Sequence, residues 1–302
     1  MIQSMSRLLL LSLILVPGKG HAKLKVMTTT TNLKSLVESV GGDQVEVESF
    51  SRGTQDPHYI EAKPSYMLKA AKADLLVSVG LDLEVGWLPL IVRGSRNPKI
   101  REGEKGHFVA GTFIETLEKP SGEISRADGD VHPEGNPHFL LDPENAVIVG
   151  EKLRDKLVEL DVAHAEYYKT NFDSFSSKMQ KHIKSWQKRL QGKGEIRVIT
   201  YHKTLTYFFS RFGIKNISIL EPKPGIPPTA SHILDVMKKS KEAGVKLALV
   251  ENYFDPTIAK RVAKDVSGMS VKVVPVSVGG EQEISSLVDL YDRLVGVIED
   301  SI

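Results

Sequence analysis

Short, nearly continuous apolar runs alternate with amphipathic stretches along this chain, and the alternation starts twice. Residues 24–27, 45–47 and 75–80 read as strands. Between them lie helical patterns over 33–40, closed by Gly41-Gly42, and over 64–73, with Pro64 or Ser65 near the start. The order returns with strands at 196–200, 217–220, 245–250 and 271–274. Its helices run from His202 through Phe209, over 231–243 with Ser231 as N-cap, over 256–266 and over 284–298. Strands apolar on both faces need cover on both sides, and strand–helix–strand repetition gives a parallel sheet. The expected class is α/β, with two lobes, each a mainly parallel sheet covered by helices.

Residues 162–190 separate the two halves and contain neither proline nor glycine. Tyr167, Phe172, Phe175, Met179, Ile183, Trp186 and Leu190 recur every three or four positions, one stripe of a helix. At 1.5 Å per residue such a helix is roughly 40 Å long, enough to run along both lobes as a rigid connector. The alternative is two helices broken near Thr170. The expected division is 1–22 signal peptide, 23–161 N-terminal lobe, 162–191 connector and 192–302 C-terminal lobe.

The signal peptide rests on Arg7, the apolar run 8–16, and small residues at Gly20 and Ala22. That run is too short to anchor in a bilayer, and nothing else reaches transmembrane length. The chain has no cysteine, hence no disulfide and no lipid at a new N-terminus. The expected product is soluble and periplasmic. Loss of Arg7 and Lys19 leaves 38 basic and 38 acidic residues, which gives no electrostatic footprint for nucleic acid.

Three histidines stand in turn-forming segments next to apolar stretches: Asp56-Pro57-His58-Tyr59, Asn136-Pro137-His138-Phe139 and Thr200-Tyr201-His202-Lys203. Neutral imidazole is a common ligand for divalent transition metals. In open parallel sheets, ligand groups gather beyond the carboxyl ends of the strands. Two histidines from the first lobe and one from the second would place a metal in the cleft between lobes. The alternative is that all three are ordinary solvated histidines. His107, His164, His182 and His232 have no motif around them and read as surface residues. His132 and Asp130, beside His138, read as a solvated loop; the other reading is that they catch metal transiently or cover the site. There is no H-E-x-x-H, and Glu61 after His58 lacks the second histidine of H-x-x-E-H because position 62 is alanine.

The segments Asp56-Pro57-His58-Tyr59-Ile60-Glu61-Ala62-Lys63-Pro64-Ser65, 129–143 (Gly-Asp-Val-His-Pro-Glu-Gly-Asn-Pro-His-Phe-Leu-Leu-Asp-Pro), Tyr201-His202 and 221–228 carry a resemblance. The chain resembles the metal-binding receptors of bacterial ATP-binding-cassette importers for zinc and manganese, over the whole mature length. The resemblance implies two α/β lobes joined by one long helix, with little opening on binding. It implies that His58, His138 and His202 are metal ligands, and that the partner is an inner-membrane permease driven by a cytoplasmic ATPase. One departure stands out. Many relatives supply a carboxylate from the loop after the last strand, whereas here it reads Pro275-Val276-Ser277-Val278-Gly279-Gly280. Glu251, Glu281 or a water is the candidate fourth ligand, and Glu251 is equally a candidate to orient a ligand histidine.

The resulting expectation is a monomeric periplasmic receptor that performs no chemistry and delivers Zn2+ to the permease. Nitrogen-rich tetrahedral sites suit zinc and oxygen ligands suit manganese; in the family's manganese receptors the position of His202 is often a carboxylate. A manganese receptor of the same class, a zinc hydrolase and a surface adhesin are the alternatives. The hydrolase needs a general base on a metal-bound water, for which no motif is present.

Overall fold

The structure is a computed structural model that describes residues 22–122, 131–223 and 225–302. The signal segment up to His21, and the loop positions Asp128 to Asp130, lie outside the described residues. The first lobe contains β1 (Leu24–Thr28), α1 (Thr31–Gly41), β2 (Val45–Ser49), α2 (Pro64–Ala70), β3 (Leu75–Ser78), α3 (Leu88–Ser95) and β4 (His107–Val109). Then come α4 (Pro143–Leu160) and α5 (Ala165–Leu190). The second lobe contains β5 (Arg197–Thr200), α6 (Thr206–Phe212), β6 (Lys215–Ile219), α7 (Ala230–Glu242), β7 (Leu247–Glu251), α8 (Thr257–Asp265), β8 (Ser270–Val274) and α9 (Leu287–Glu299). The sheets run β2-β1-β3-β4 and β6-β5-β7-β8, so the two lobes repeat one strand order. Among the described residues every pairing within the two sheets is parallel, as the apolar strands predict.

Strand periodicity divides each sheet between two cores. Leu75 and Val77 face one way and Leu76 the other; Leu247 and Leu249 oppose Ala248 and Val250. The inward sets of both sheets join a single apolar core with α5, while the outward sets pack in separate clusters under the outer helices of each lobe. The α5 stripe is Tyr168, Phe172, Phe175, Met179, Ile183, Trp186 and Leu190. Tyr168, not Tyr167, begins it: Tyr168 is four residues before Phe172 and donates to Asp161 (2.7 Å), while Tyr167 is 36% exposed. No break occurs at Thr170. Residues 162–164 form a 3-10 turn ahead of a continuous 26-residue helix.

Local capping sets several boundaries. Thr229, rather than Ser231, caps α7, accepting from the His232 N–H. Ser286 and Asp289 form a reciprocal capping box that starts α9 later than the apolar pattern suggested. Pro64 occupies the first turn of α2, where a missing N–H costs nothing.

The lobes are stitched together directly. Asn32 donates to the Val276 carbonyl (3.1 Å) and accepts from the Val278 N–H (2.8 Å). The Leu287 N–H donates to Ser35 Oγ (3.2 Å), and Tyr291 donates to the Leu140 carbonyl. At Gly53 the two lobes touch backbone to backbone: a Cβ there would lie 2.3 Å from the Gly279 carbonyl carbon. Among the described residues, no helix is long and apolar enough to cross a membrane.

Candidate metal centre

His58 lies on the loop between β2 and α2. Asp56 Oδ1 accepts from the His58 backbone N–H (3.0 Å) and from its ring Nδ1 (2.6 Å). A carboxylate only accepts, so the ring proton sits on Nδ1 and Nε2 presents its lone pair. Burial raises the pKa of Asp56, but its bonds to His58 outweigh this and hold it below the usual carboxylate range. Trp87 Nε1 donates to the Pro57 carbonyl (3.0 Å) and fixes the loop on its lobe.

His138 is held by a second turn of the same kind. Its backbone N–H donates to Asn136 Oδ1 (2.9 Å), and Asn136 Nδ2 donates across the cleft to the Lys203 carbonyl (2.9 Å). Tyr207 of α6 donates to the Asn136 carbonyl (2.8 Å), so both lobes position this turn. Its ring Nε2 is buried with no hydrogen-bond partner. Burial first, then the neighbouring rings of His58, His202 and His132, push the His138 pKa well below the ordinary imidazole value. A neutral ring with an orphaned nitrogen is the form a metal requires.

His202, two residues beyond β5, is buried, and its Nδ1 makes a short hydrogen bond to Glu221 Oε2. Glu221 Oε1 accepts from the Gly225 N–H (2.9 Å), which ties the carboxylate to the loop after β6. Burial lowers the His202 pKa, but Glu221, with the charges of Glu251 and Asp56, raises it above the ordinary value.

One ligand nitrogen from each of His58, His138 and His202 falls within 4.8 Å of the others. Three nitrogens bound to zinc at 2.0–2.1 Å stand about 3.3 Å apart, so small side-chain adjustments close the set on one ion. Glu251 is not in this group. It ends β7, fully buried, with the Thr204 side chain and the His202 backbone as its neighbouring donors. Burial raises its pKa against the opposing pull of His202. The carboxylates that hydrogen-bond the rings of His202 and His58 are Glu221 and Asp56. Both lie in the quoted motifs, and Asp56, two residues before His58, is the spacing of a side-chain-closed turn. Glu281 is bound to Arg293 (2.8 and 3.2 Å).

Of the histidines expected at the surface, His182 is exposed. The other three are half-buried and held: His107 by Ser78, His164 by Asp161 and His232 by the Ile219 carbonyl.

The Glu221 contact yields a direct test. Glu221→Gln is expected to weaken divalent-metal binding about 10–100-fold, the usual cost of losing a carboxylate behind a metal-binding imidazole, with stoichiometry unchanged. Unchanged affinity by competition titration would remove Glu221 from the site.

Two tightly joined parallel-sheet lobes with imidazoles converging between them define a metal-ion receptor. The family pattern described as zinc-uptake complex component A, periplasmic (ZnuA), matches residues 26–301, and the chain belongs to this family. It is similar to the iron-binding protein YfeA of Yersinia pestis, 27% identical over 95% of this chain and 87% of that protein. It is 25% identical to the manganese ABC transporter substrate-binding lipoprotein PsaA of Streptococcus pneumoniae, over 80% of this chain and 76% of that one. The crystal structure of ZnuA shares the fold with a TM-score of 0.79 at 20% identity, over 92% of this chain and 99% of that one. The Mn-bound periplasmic metal-binding protein of Candidatus Liberibacter asiaticus gives a TM-score of 0.77 at 20% identity, over 93% and 100% of the two chains. The family comprises metal-binding receptors of ATP-binding-cassette transporters, not enzymes.

Proposed function

We propose that this chain is a zinc receptor that captures one Zn2+ through His58, His138 and His202 and hands it to an inner-membrane permease. The observation carrying this reading is the cluster of three imidazole nitrogens, from which carboxylate oxygens are absent among the described residues. Asp56 and Glu221 hold two rings through Nδ1, which leaves Nε2 as the nitrogen each ring can offer to a metal. In this reading residues 1–22 direct export to the periplasm and are removed. Residues 23–161 and 192–302 are the two metal-binding lobes around the connector 162–191, and the receptor acts as a monomer.

A manganese or iron receptor is the second reading. The buried carboxylate of Glu251, whose charge acts on His202, is the oxygen donor that favours it. Protein purified from its native compartment separates the two. One equivalent of zinc by elemental analysis is expected; manganese or iron at comparable occupancy overturns the zinc assignment.

A further inference from the structure

We infer that His132 is the fourth protein ligand of the cleft metal and completes an all-imidazole site. The inference rests on the reading of His58, His138 and His202 as the metal site.

The first support is a distance. His132 Nε2 lies 3.2 Å from His58 Nε2. Two nitrogens on one tetrahedral zinc, each at 2.0–2.1 Å, are about 3.3 Å apart. The pair is therefore already spaced as one edge of a zinc tetrahedron. Asp56 occupies Nδ1 of His58, so the atom facing His132 is the one free to bind metal. Ligation needs the proton of His132 on Nδ1, with no net change of charge on the ring, and a movement of the ring from His58 toward His138 and His202.

The second support is the cavity. His132, His138 and His202 line one small chamber of about 60 Å³, with Glu118 and Lys203 at its rim. His132 thus faces the same space as two of the three proposed ligands.

The third support is how His132 is held. Gly135 N–H closes a turn on the His132 carbonyl (3.1 Å), and Thr116 Oγ1 donates to the Glu134 carbonyl (2.7 Å). Asn136 N–H then donates to the Leu117 carbonyl (2.8 Å). Gly135 has φ +107°, and a Cβ there would lie 2.7 Å from Thr116 Cβ, so glycine is required for this close approach. The turn is pinned at its base and presents the ring over the cleft. This replaces the expectation of a solvated loop at His132.

The fourth support is the state of the alternatives. The loop 275–280 contains no acid, and Glu281 is bound to Arg293. Glu251 and His132 both lie outside the triad drawn within 4.8 Å, and His132 reaches a triad nitrogen at 3.2 Å.

Zinc K-edge absorption on the mature protein counts the imidazoles directly. Four are expected in the wild type. His132→Gln should show three plus an oxygen, with zinc affinity lower by more than the ~10²-fold that loss of an outer partner costs. His132→Asp keeps a ligand but changes it to oxygen, so it should bind zinc more tightly than His132→Gln and shift the zinc-to-manganese ratio toward manganese, which a merely structural role would not do. Three imidazoles in the wild type, or identical spectra and affinity in His132→Gln, overturns His132 while leaving the three-histidine site. A wild-type protein that binds no zinc overturns both.

Discussion

Replacing His58, His138 or His202 with alanine is expected to lower zinc affinity more than the ~10–100-fold that follows loss of an outer partner, because each change removes a metal–nitrogen bond itself. The three changes should differ in the metal-free protein. His138 Nε2 is already buried and unpaired, so His138→Ala removes an unsatisfied atom along with the ring and should cost little of what a buried polar deletion usually costs. His202→Ala strips Glu221 of its buried partner, and that loss should cost about 1–3 kcal/mol. Affinity by calorimetry and stability by denaturant titration therefore rank the variants differently. Proton competition has a defined sign as well. Because the His202 pKa is raised, its ring begins to hold a competing proton above the ordinary imidazole value, and affinity falls as pH drops through that range. His138, shifted well downward, does not add to this loss until much lower pH. Wild-type affinity in all three variants would place the site elsewhere.

Zinc is expected to outcompete manganese by orders of magnitude. The ligand atoms that converge are imidazole nitrogens, and among divalent first-row metals manganese binds nitrogen donors weakest. Glu251 is a carboxylate that could reverse this, since it is buried and its charge acts on His202. Glu251→Gln therefore reads its role: a severe loss of metal binding marks a ligand, a mild one marks a buried neighbour of His202. Competition near neutral pH in which manganese displaces zinc at equal concentration would overturn the zinc preference and leave the receptor class intact.

The lobes were legible in the sequence because their evidence is local. Runs such as 75–78 and 247–250 are apolar on both faces, and only a covered parallel sheet accommodates that. The histidine turns were legible for a similar reason, as Asp-Pro-His and Asn-Pro-His encode their own turns. What was missed depends on tertiary contact. β4 is three residues long and exists through its pairing with β3. α4 opens on a proline after an Asp142 cap, and its apolar positions gain meaning only against α1 and α5. The stripe of α5 could have been phased correctly, since Tyr168 continues the four-residue step from Phe172 and Tyr167 does not. The partnership of His202 with Glu221 spans 19 residues and two strands, and no spacing rule announces it. The approach of His132 to His58 spans 74.

The shared core has a consequence for the order of events during synthesis. α9 packs on α5 and α1, and α1 receives the Leu287 N–H at Ser35 and the Val278 N–H at Asn32. The inner face of the first sheet and the stripe of α5 are thus left partly uncovered until residues more than 240 positions downstream of Asn32 arrive. A nascent chain that has made only the first lobe holds an apolar surface with nothing to close it, and such surfaces aggregate. Closure of this core therefore depends on α9, and a chain truncated before Leu287 is expected to leave the α5 stripe exposed, which ANS binding by the truncated protein would report.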